Sequence, residues 1–515
     1  MKRFLLFFII IGCAFLSMNA QDGVRPRGDV NCDWEVNIAD INTLIDNIFN
    51  ETRYHELYTY ALDVNGDKEI NIADINVLVD GIMGAELPPM PSYSGTLPVL
   101  YINTEGYCNI ESKEEYIHAD WWLDNMGLEG YESLGSRDEP LGMQIKGHGN
   151  YTWIVFKEKP FRIKLDTKQR LLGMKRNRHF CLLPHADDQY AKLKNTMGFE
   201  LSSRIGLSFT PAQVPVEVVL NGQYIGMYFL TEKIRVGKNR VNIEEQNDGE
   251  TDPANITGGW LLEIDNYRED NTITFKERDG GDWHDWIRFT PQYPENLSEQ
   301  QRQYITQFLL QTNAAIYTPD KSSAEWEEYI DIDSLVCFYI VAEIIDNIES
   351  FNGSCFMHKH KGDSTKLIFG PVWDMGSSFE RINLSDATDF DFFIYQGERF
   401  QAHWIREIAK FPHFQEKVKE QWKAFYDTDF NGLDINRFID EHVSSIRQAW
   451  SCHALRWKRW SGYDIDKAVA LYKTYLHTKI DWLQSQWGSD GSTNKIKLGY
   501  NNNTSVNILT KKKVY

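Results

Sequence analysis

The stretch DVNCDWEVNIAD at residues 29–40 recurs as DVNGDKEINIAD at residues 63–74, which begins 34 residues later. Oxygen-bearing side chains fall at positions 1, 3, 5, 9 and 12 of both copies, and position 7 would contribute a backbone carbonyl. A hard cation such as calcium takes six to eight oxygen ligands at this kind of spacing. The repeat therefore predicts two calcium loops, with the ligands Asp29, Asn31, Asp33, Glu35, Asn37 and Asp40 in the first and Asp63, Asn65, Asp67, Glu69, Asn71 and Asp74 in the second.

Each loop leads into an apolar pattern of helical period, at residues 41–48 and 75–82. Two loop-helix units of this kind can pack face to face, which predicts a small all-α module. Together these residues resemble the type I dockerin family over residues 28–84. The resemblance implies an EF-hand-like fold, two Ca²⁺ ions and recognition of a cohesin-like partner. Trp34 and Lys68 replace the glycine that the family usually has at loop position 6, so the turn is less free.

The amino terminus has the layout of a secretory signal peptide, which we place at residues 1–20. A basic start is followed by an apolar run from Phe4 to Leu16 and a polar exit near Ala20. This predicts export across the inner membrane to a secreted or cell-surface location. The alternative is a lipid anchor on Cys13. No other segment approaches the ~20 apolar residues of a membrane span, so no transmembrane segment is expected.

A chain of 515 residues exceeds what one hydrophobic core usually serves, which predicts several domains. The net charge of −20 argues against nucleic acid as a partner, because like charges repel. The seven cysteines show no metal-ligand spacing. Residues 21–84 would be the docking module, residues 85–96 a Pro/Ser/Gly-rich linker acting as a tether, residues 97–488 a large domain and residues 489–515 a polar tail.

The large domain changes character along its length. Its first part is typical of short strands around one helix at residues 191–205, and its second part has helical periodicity. This predicts an α+β domain of two lobes with a cleft. The expected strands are 143–146, 161–165, 214–220 and 226–232, and the expected helices are 301–314, 332–345, 414–425 and 465–487.

Four segments of the large domain are recognisable in order: KGHGN (146–150) running to FKEKPF (156–161), NGQYIGMY (221–228) with TEK (231–233), NIESF (347–351), and GPVWD (370–374). They resemble the CotH-type kinases, the family of spore coat protein H, over about residues 97–488. The resemblance implies a two-lobed protein-kinase-like fold, ATP with Mg²⁺ or Mn²⁺, and phosphoryl transfer to a hydroxyl of a secreted or surface protein.

Phosphoryl transfer needs a cation on the phosphates, a carboxylate that holds the metal and a carboxylate that orients the attacking hydroxyl. Lys159, at the start of a strand, is the candidate for the phosphates. Asp374 follows an apolar strand at residues 367–369 and stands where the family has its metal aspartate. Glu349 follows a long apolar helix and stands where the family usually has the aspartate that orients the acceptor. Asp346 is an alternative carboxylate or a helix cap.

Three departures from the family pattern affect this site. Glu349 carries its carboxylate one methylene further out than aspartate, and a displacement near 1 Å can cost ~100-fold in rate. Ser354 stands where many relatives have a metal-binding asparagine, and Gly376 where an asparagine or aspartate is common. On the cofactor side, Glu200 could pair with Lys159, and Glu232 would lie at the junction of the lobes, although both are surface carboxylates by default.

These residues leave three functions open. The first is an atypical protein kinase, docked through its calcium loops. The second, favoured by the departures, is a catalytically degraded kinase-like domain that acts as a structural or adhesive component of a surface or polysaccharide-degrading, cellulosome-like assembly. The third and weakest is a glycoside hydrolase, because no pair of catalytic carboxylates has family context.

Overall fold

The computed structural model describes residues 24–49, 59–67, 69–88, 91–278, 286–380, 391–396, 401–428 and 432–488. The predicted signal peptide with Cys13, the side chain of Lys68 and the tail 489–515 lie outside these residues. The chain forms two units, which we call the first unit (Met1–Ala186, Val214–Thr231 and Ser444–Tyr463) and the second unit (Asp187–Gln213, Glu232–Val443 and Asp464–Tyr515).

The repeat folds into three helices of the first unit, α1 (Ile38–Phe49), α2 (Thr59–Leu62) and α3 (Ile72–Ile82). The Asn71 side chain caps α3 by accepting a hydrogen bond from the backbone N–H of Ala73. Leu44 and Leu78, at equivalent positions of the two copies, are fully buried, which confirms the predicted face-to-face packing. Their small core also contains Val30, Leu62, Val64 and Leu87.

The rest of the first unit is built on a closed barrel with the strand order β1-β2-β3-β4-β5-β7-β6. Consecutive strands from β1 to β5 pair antiparallel, and β1 closes against β6 in parallel. Helix α4 (Tyr151–Val155) lies between β3 and β4. All four strands expected from the sequence are present, as β3, β4, β6 and β7. The strands are β1 (Val99–Thr104), β2 (Ile117–Asp124), β3 (Leu141–Gly147), β4 (Phe161–Gln169), β5 (Asn177–Leu183), β6 (Gln213–Leu220) and β7 (Gln223–Glu232).

The segment predicted as a tether, residues 85–96, is anchored at both ends. Leu87 is buried in the core of the docking module, where it packs so closely on Gly81 that a Cβ there would lie 2.5 Å from it. Ser94 donates from its backbone N–H and its hydroxyl to the buried carboxylate of Glu217 on β6. The segment predicted as a semi-stiff tether is therefore held at both ends, by apolar packing of Leu87 and by hydrogen bonds of Ser94.

The second unit combines helices with a five-stranded sheet of order β12-β11-β8-β10-β9, in which every pair is antiparallel. Of this sheet, the sequence analysis expected only the apolar strand at residues 367–369. Its central strand is buried on both faces, and a short apolar run without alternation does not separate strand from helix. The strands are β8 (Trp260–Ile264), β9 (Ile273–Lys276), β10 (Trp286–Tyr293), β11 (Cys355–Lys359) and β12 (Leu367–Phe369).

The five predicted helices of the second unit are confirmed. Helix α7 is buried almost all round, and the large hydrophobic core of this unit surrounds it. Helix α10 continues into the first unit from Ser444 onward. The helices are α5 (Leu193–Ile205), α6 (Glu299–Ile316), α7 (Ile332–Ile344), α8 (Ile405–Ile408), α9 (Pro412–Thr428), α10 (Gly432–Arg456) and α11 (Ile465–Trp487).

The observed class is thus a small α module with an α+β domain, as predicted. The β-rich part is a closed seven-stranded barrel, which the sequence analysis did not anticipate, and the two-lobed kinase-like arrangement remains a proposal. Across the described ranges, no helix is both long and apolar enough to cross a membrane. No disulfide joins the six cysteines in these ranges.

Candidate functional site

The loop that follows α7 carries Glu349. The Asp331 side chain caps the start of α7 by accepting a hydrogen bond from the Ser334 N–H at 2.8 Å, and the helix ends where Asp346 turns the chain at a φ of 45°. Asp346 is fully buried and lies 3.1 Å from Lys479 of α11, which also pairs with Glu343 at 3.2 Å. Asp346 therefore belongs to a buried ionic group that fixes the loop.

The loop that follows β12 carries Asp374, whose backbone has a φ of 57°. This left-handed conformation costs about 1–2 kcal/mol for a residue with a Cβ. Hydrogen bonds of nearby residues hold this conformation. The Asn347 side chain donates to the Asp374 carbonyl at 3.5 Å, and the Met375 N–H donates to the Asn195 side chain at 2.9 Å. An isolated β-bridge between Asn347 and Ser378 joins the two loops further. Glu349 and Asp374 are thus brought together in the second unit.

Glu349 is held through both carboxylate oxygens. Its Oε1 accepts a hydrogen bond from the Asn266 side chain at 2.8 Å, and its Oε2 accepts one from the Ser377 hydroxyl at 2.7 Å. Asn266 follows β8 and Ser377 follows Asp374, so both an unpredicted strand and the Asp374 loop position this carboxylate. The extra methylene of Glu349 is therefore fixed in one place rather than free to swing.

The negative charges of this site disfavour the ionised form of Asp374. The surrounding protein raises the pKa of Asp374 to about 7, and the negative charges of Asp187 and Glu349 add to the shift, although solvent reaches the Asp374 side chain. Burial also raises the pKa of Glu349 and of Asp265, against the opposing effect of hydrogen bonds. An acidic group of this kind is stabilised by a cation.

Gly376 explains how a further carboxylate enters the site. A Cβ at this position would lie 2.4 Å from Oδ2 of Asp187 and 3.1 Å from Oδ1 of Asp374. The missing side chain therefore leaves the space that Asp187 occupies. The sequence analysis treated Gly376 as a loss and did not assign Asp187, since only its place in an Asp-Asp pair before α5 could have drawn attention to it.

Lys159 lies in the first unit, just before β4. Its ammonium donates to the Trp153 carbonyl at 2.5 Å and lies 5.5 Å from the centre of the Trp153 ring. The preceding Glu158 is fully buried and binds His453 at 3.2 Å and the Trp460 indole N–H at 3.0 Å. The backbone around Lys159 is therefore fixed by its neighbour, while Lys159 itself is half-buried.

The other predicted cofactor residues have structural partners. Glu200 pairs with Arg204 one turn along α5 at 2.6 Å, a different partner from the predicted Lys159. Glu232 is buried and pairs with Arg240 at 2.7 Å. Ser354, at a φ of 51°, hydrogen-bonds Glu263, whose burial raises its pKa well above the usual range. The default reading of Glu232 as a surface carboxylate was wrong, because the side chain is buried and a buried carboxylate requires a partner such as Arg240.

The two predicted calcium loops form matching hydrogen-bond networks. In the first loop, the position-12 carboxylate of Asp40 accepts backbone N–H groups of Val30, Asn31 and Asn37 at 2.6, 3.1 and 2.8 Å. In the second loop, Asp74 accepts those of Asn65 and Asn71 at 3.1 and 2.9 Å. The side chains at positions 3, 5 and 9 also bond in the same order in both loops.

The loops fit a hard divalent cation on chemical grounds. Asp29, Asp40 and Asp74 are fully buried, and burial raises the pKa of Asp29 to about 6 despite the guanidinium of Arg25 nearby. Burial likewise raises the pKa of Asp74. Carboxylates and amide oxygens are the ligands calcium prefers, and a bound cation would offset the cost of these buried charges.

Comparisons with known proteins agree with this architecture. A family model for the dockerin type I domain, a calcium-binding module, matches residues 27–82. A family model for the CotH kinase protein matches residues 145–483. A comparison with the curated proteins finds no match. Since the second match covers more than half of the chain, the protein carries an amino-terminal type I dockerin domain and belongs to the CotH kinase protein family.

Proposed function

We propose that this protein is an exported, metal-dependent phosphotransferase that moves the γ-phosphoryl group of ATP to a hydroxyl of a secreted or surface protein. The observation that carries this proposal is that the carboxylates of Asp187 and Asp374 lie at the same point beside Gly376, while the next residue, Ser377, binds the carboxylate of Glu349. The family assignment supports the same reaction class. The proposal includes a two-lobed kinase-like arrangement of the domain.

Asp374 and Asp187 are the residues that would hold Mg²⁺ or Mn²⁺. Among the described residues, no group of three or more histidine, cysteine, aspartate or glutamate side chains is already arranged around a metal position, in this site or in the calcium loops. Magnesium is usually bound by one or two protein carboxylates together with waters and substrate phosphates, so this donor set fits a metal that arrives with the nucleotide. When bound, the metal would neutralise charge on the phosphates.

Glu349 would orient the attacking hydroxyl and accept its proton. Burial raises its pKa, which makes the carboxylate a stronger proton acceptor, and the two hydrogen bonds from Asn266 and Ser377 fix its direction. Lys159 would supply positive charge to the phosphates. Its ammonium would exchange the Trp153 carbonyl for phosphate oxygens, a better partner for a cation. Glu200, Glu232 and Ser354 would support this machinery from their own structural pairs.

The dockerin domain would deliver the enzyme to its place of action. We propose that a cohesin-like protein is the partner and that calcium in both loops maintains the fold it recognises. Export would follow from the signal peptide, with a lipid anchor on Cys13 as the less favoured route to the cell surface.

A catalytically silent binding protein is the second candidate. Both oxygens of Glu349 already accept hydrogen bonds, and Ser354 is engaged by Glu263 instead of offering its oxygen to a metal. In this case the domain would serve as a structural or adhesive component of a surface or polysaccharide-degrading assembly.

The test is incubation of the purified mature protein with radiolabelled ATP and Mg²⁺ or Mn²⁺, beside the variants Asp374→Ala, Asp187→Ala and Asp138→Ala. The last replaces an exposed aspartate of the first unit and serves as the matched control. We expect label on the protein or on a generic acceptor with the parent and the control, and its loss with Asp374→Ala. For Asp187→Ala we expect that a higher concentration of Mg²⁺ or Mn²⁺ is needed for the same labelling.

Two results separate the candidates. No label from any form of the protein, together with no magnesium-dependent binding of ATP, would favour the silent binding protein. Label that survives Asp374→Ala would contradict the assignment of the site.

A further inference from the structure

A cavity lies within the first unit, where the first calcium loop meets the barrel. Its volume is about 630 Å³. Trp34 of the calcium loop forms one side, and the outer face of β1 and β2 forms another. The lining residues that matter here are Trp34, Asn103, Tyr107, His118, Asp120 and Trp122.

The barrel side of this cavity is a row of side chains on one face of β2. His118, Asp120 and Trp122 alternate along the strand, and Asn103 of β1 lies directly opposite Asp120. At about 3.3 Å per residue, the row from His118 to Trp122 spans about 13 Å. The cavity is therefore elongated enough for an extended ligand rather than a single small group.

The polar side chains of this row have no hydrogen-bond or ion-pair partner among the described residues. Within the described ranges, the side chains of Asn103, His118 and Asp120 make no hydrogen bond or ion pair, although all three line the cavity. An amide, an imidazole and a carboxylate together offer both donors and acceptors of hydrogen bonds. This combination suits a ligand that carries many hydroxyl groups, each of which both donates and accepts.

The aromatic side chains add apolar surface beside these polar groups. Trp122 stacks on Tyr101 with ring centres 4.8 Å apart, and the Trp34 indole N–H reaches the Tyr107 hydroxyl at 3.5 Å. The rings are thus held rigidly. Rigid rings bind the C–H faces of a ligand at a low cost in conformational entropy.

Charge and topology exclude two other kinds of ligand. Asp120 and Glu105 outnumber Arg137, which already lies over the Trp34 ring at 4.2 Å, so an anionic ligand is disfavoured. An extended peptide has no free strand edge to join, because β1 pairs with β6 and β2, and β2 pairs with β3.

We propose that this cavity binds a neutral oligosaccharide. Because Trp34 is position 6 of the first calcium loop, an ordered loop is needed to hold its ring against the barrel, and binding depends on calcium. The site is independent of the proposed phosphotransferase site in the second unit.

The experiment screens the full mature protein, with calcium, on a printed array of neutral and acidic glycans. Calorimetry then measures the strongest neutral ligand with the parent and with Asp120→Ala, Asn103→Ala, Glu115→Ala and Asp374→Ala. Glu115 is an exposed carboxylate just before β2 that does not line the cavity, which makes it the matched control. Thermal unfolding of each variant checks that it is folded.

We expect at least a tenfold loss of affinity with Asp120→Ala and with Asn103→Ala, a comparable loss when calcium is chelated, and unchanged affinity with Glu115→Ala and Asp374→Ala. The proposal is overturned if the protein binds no neutral glycan on the array, or if it binds acidic glycans alone. It is also overturned if Asp120→Ala and Asn103→Ala bind the neutral glycan as tightly as the parent does.

Discussion

The two calcium loops share one sequence pattern and one hydrogen-bond network but differ in what surrounds them. The first loop faces the barrel, where the Trp34 indole meets Tyr107 and Arg137. The second loop has an exposed Gly66 at position 4, where the first loop has the half-buried Cys32. Local sequence therefore sets the loop, while tertiary packing decides whether the loop also supports the rest of the unit.

A pair of arginines shows the same difference. The buried Arg25 donates to the Asp29 carbonyl at 3.3 Å, and its side chain lies so close to the turn between β6 and β7 that a Cβ on Gly222 would be 2.3 Å away. Arg27 donates to the carbonyls of Asp63 and Val64 at 2.8 and 3.2 Å. The first loop is thus linked to the barrel, and the second is fixed within the module.

The largest effect is expected from Asp40→Ala compared with Asp74→Ala. Loss of Asp40 leaves three backbone N–H groups without their charged acceptor, at roughly 1.5–3 kcal/mol for each such bond before relaxation, and we expect about 3–5 kcal/mol of lost stability. We expect the barrel to lose stability with Asp40→Ala but not with Asp74→Ala. Denaturant unfolding followed by tryptophan fluorescence, with calcium stoichiometry by calorimetry, measures both. An equal loss of barrel stability in the two variants would contradict the prediction that only the first loop supports the barrel.

The next effect concerns the two arginines. Arg25→Ala should destabilise the first unit by about 3 kcal/mol, because it removes the buried cation beside Asp29 and its packing on the turn. Arg27→Ala should cost about 1.5 kcal/mol, since it removes hydrogen bonds to carbonyls only. Thermal unfolding at saturating calcium provides the comparison, and a larger loss with Arg27→Ala would reverse our order.

Position 4 of the loops allows a reciprocal exchange. Cys32 has a φ of 69°, where Gly66 has 78°, and the left-handed conformation costs a residue with a Cβ about 1–2 kcal/mol. Cys32→Gly should therefore tighten calcium binding at the first site by roughly tenfold, and Gly66→Ala should weaken the second by a similar factor. Cys32→Ala is the control: it removes the thiol but keeps the Cβ, so calorimetry should show no gain.

The smallest effect is expected from Arg137→Ala. Its guanidinium is exposed and lies over the Trp34 ring, an interaction worth about 0.5–1 kcal/mol at such a site. Thermal unfolding should shift slightly in the presence of calcium and not at all after chelation, when the loop no longer holds Trp34 in place. A shift that persists without calcium would show that Arg137 supports the barrel by another contact.

The acidic site was only partly predictable from the sequence. Glu349 and Asp374 were named because each follows a regular element inside a recognisable motif. Asp187 could not be named, since its role depends on the missing side chain of Gly376, nearly 190 residues further along the chain. Asn266 and Ser377, which hold Glu349, belong to segments without any motif of their own.

By itself, the sequence determined the two calcium loops, their helices, the order of the two domains and most helices of the second unit. These features depend on residue types at fixed short spacings, which act through local hydrogen bonds and one-sided packing. Only the tertiary structure decided that the strands close into a barrel, that residues 85–96 are anchored at both ends, and that Trp34 of the first loop meets Tyr107 and Arg137. Those outcomes depend on contacts between residues far apart in the chain, and such contacts leave no periodic pattern in the sequence.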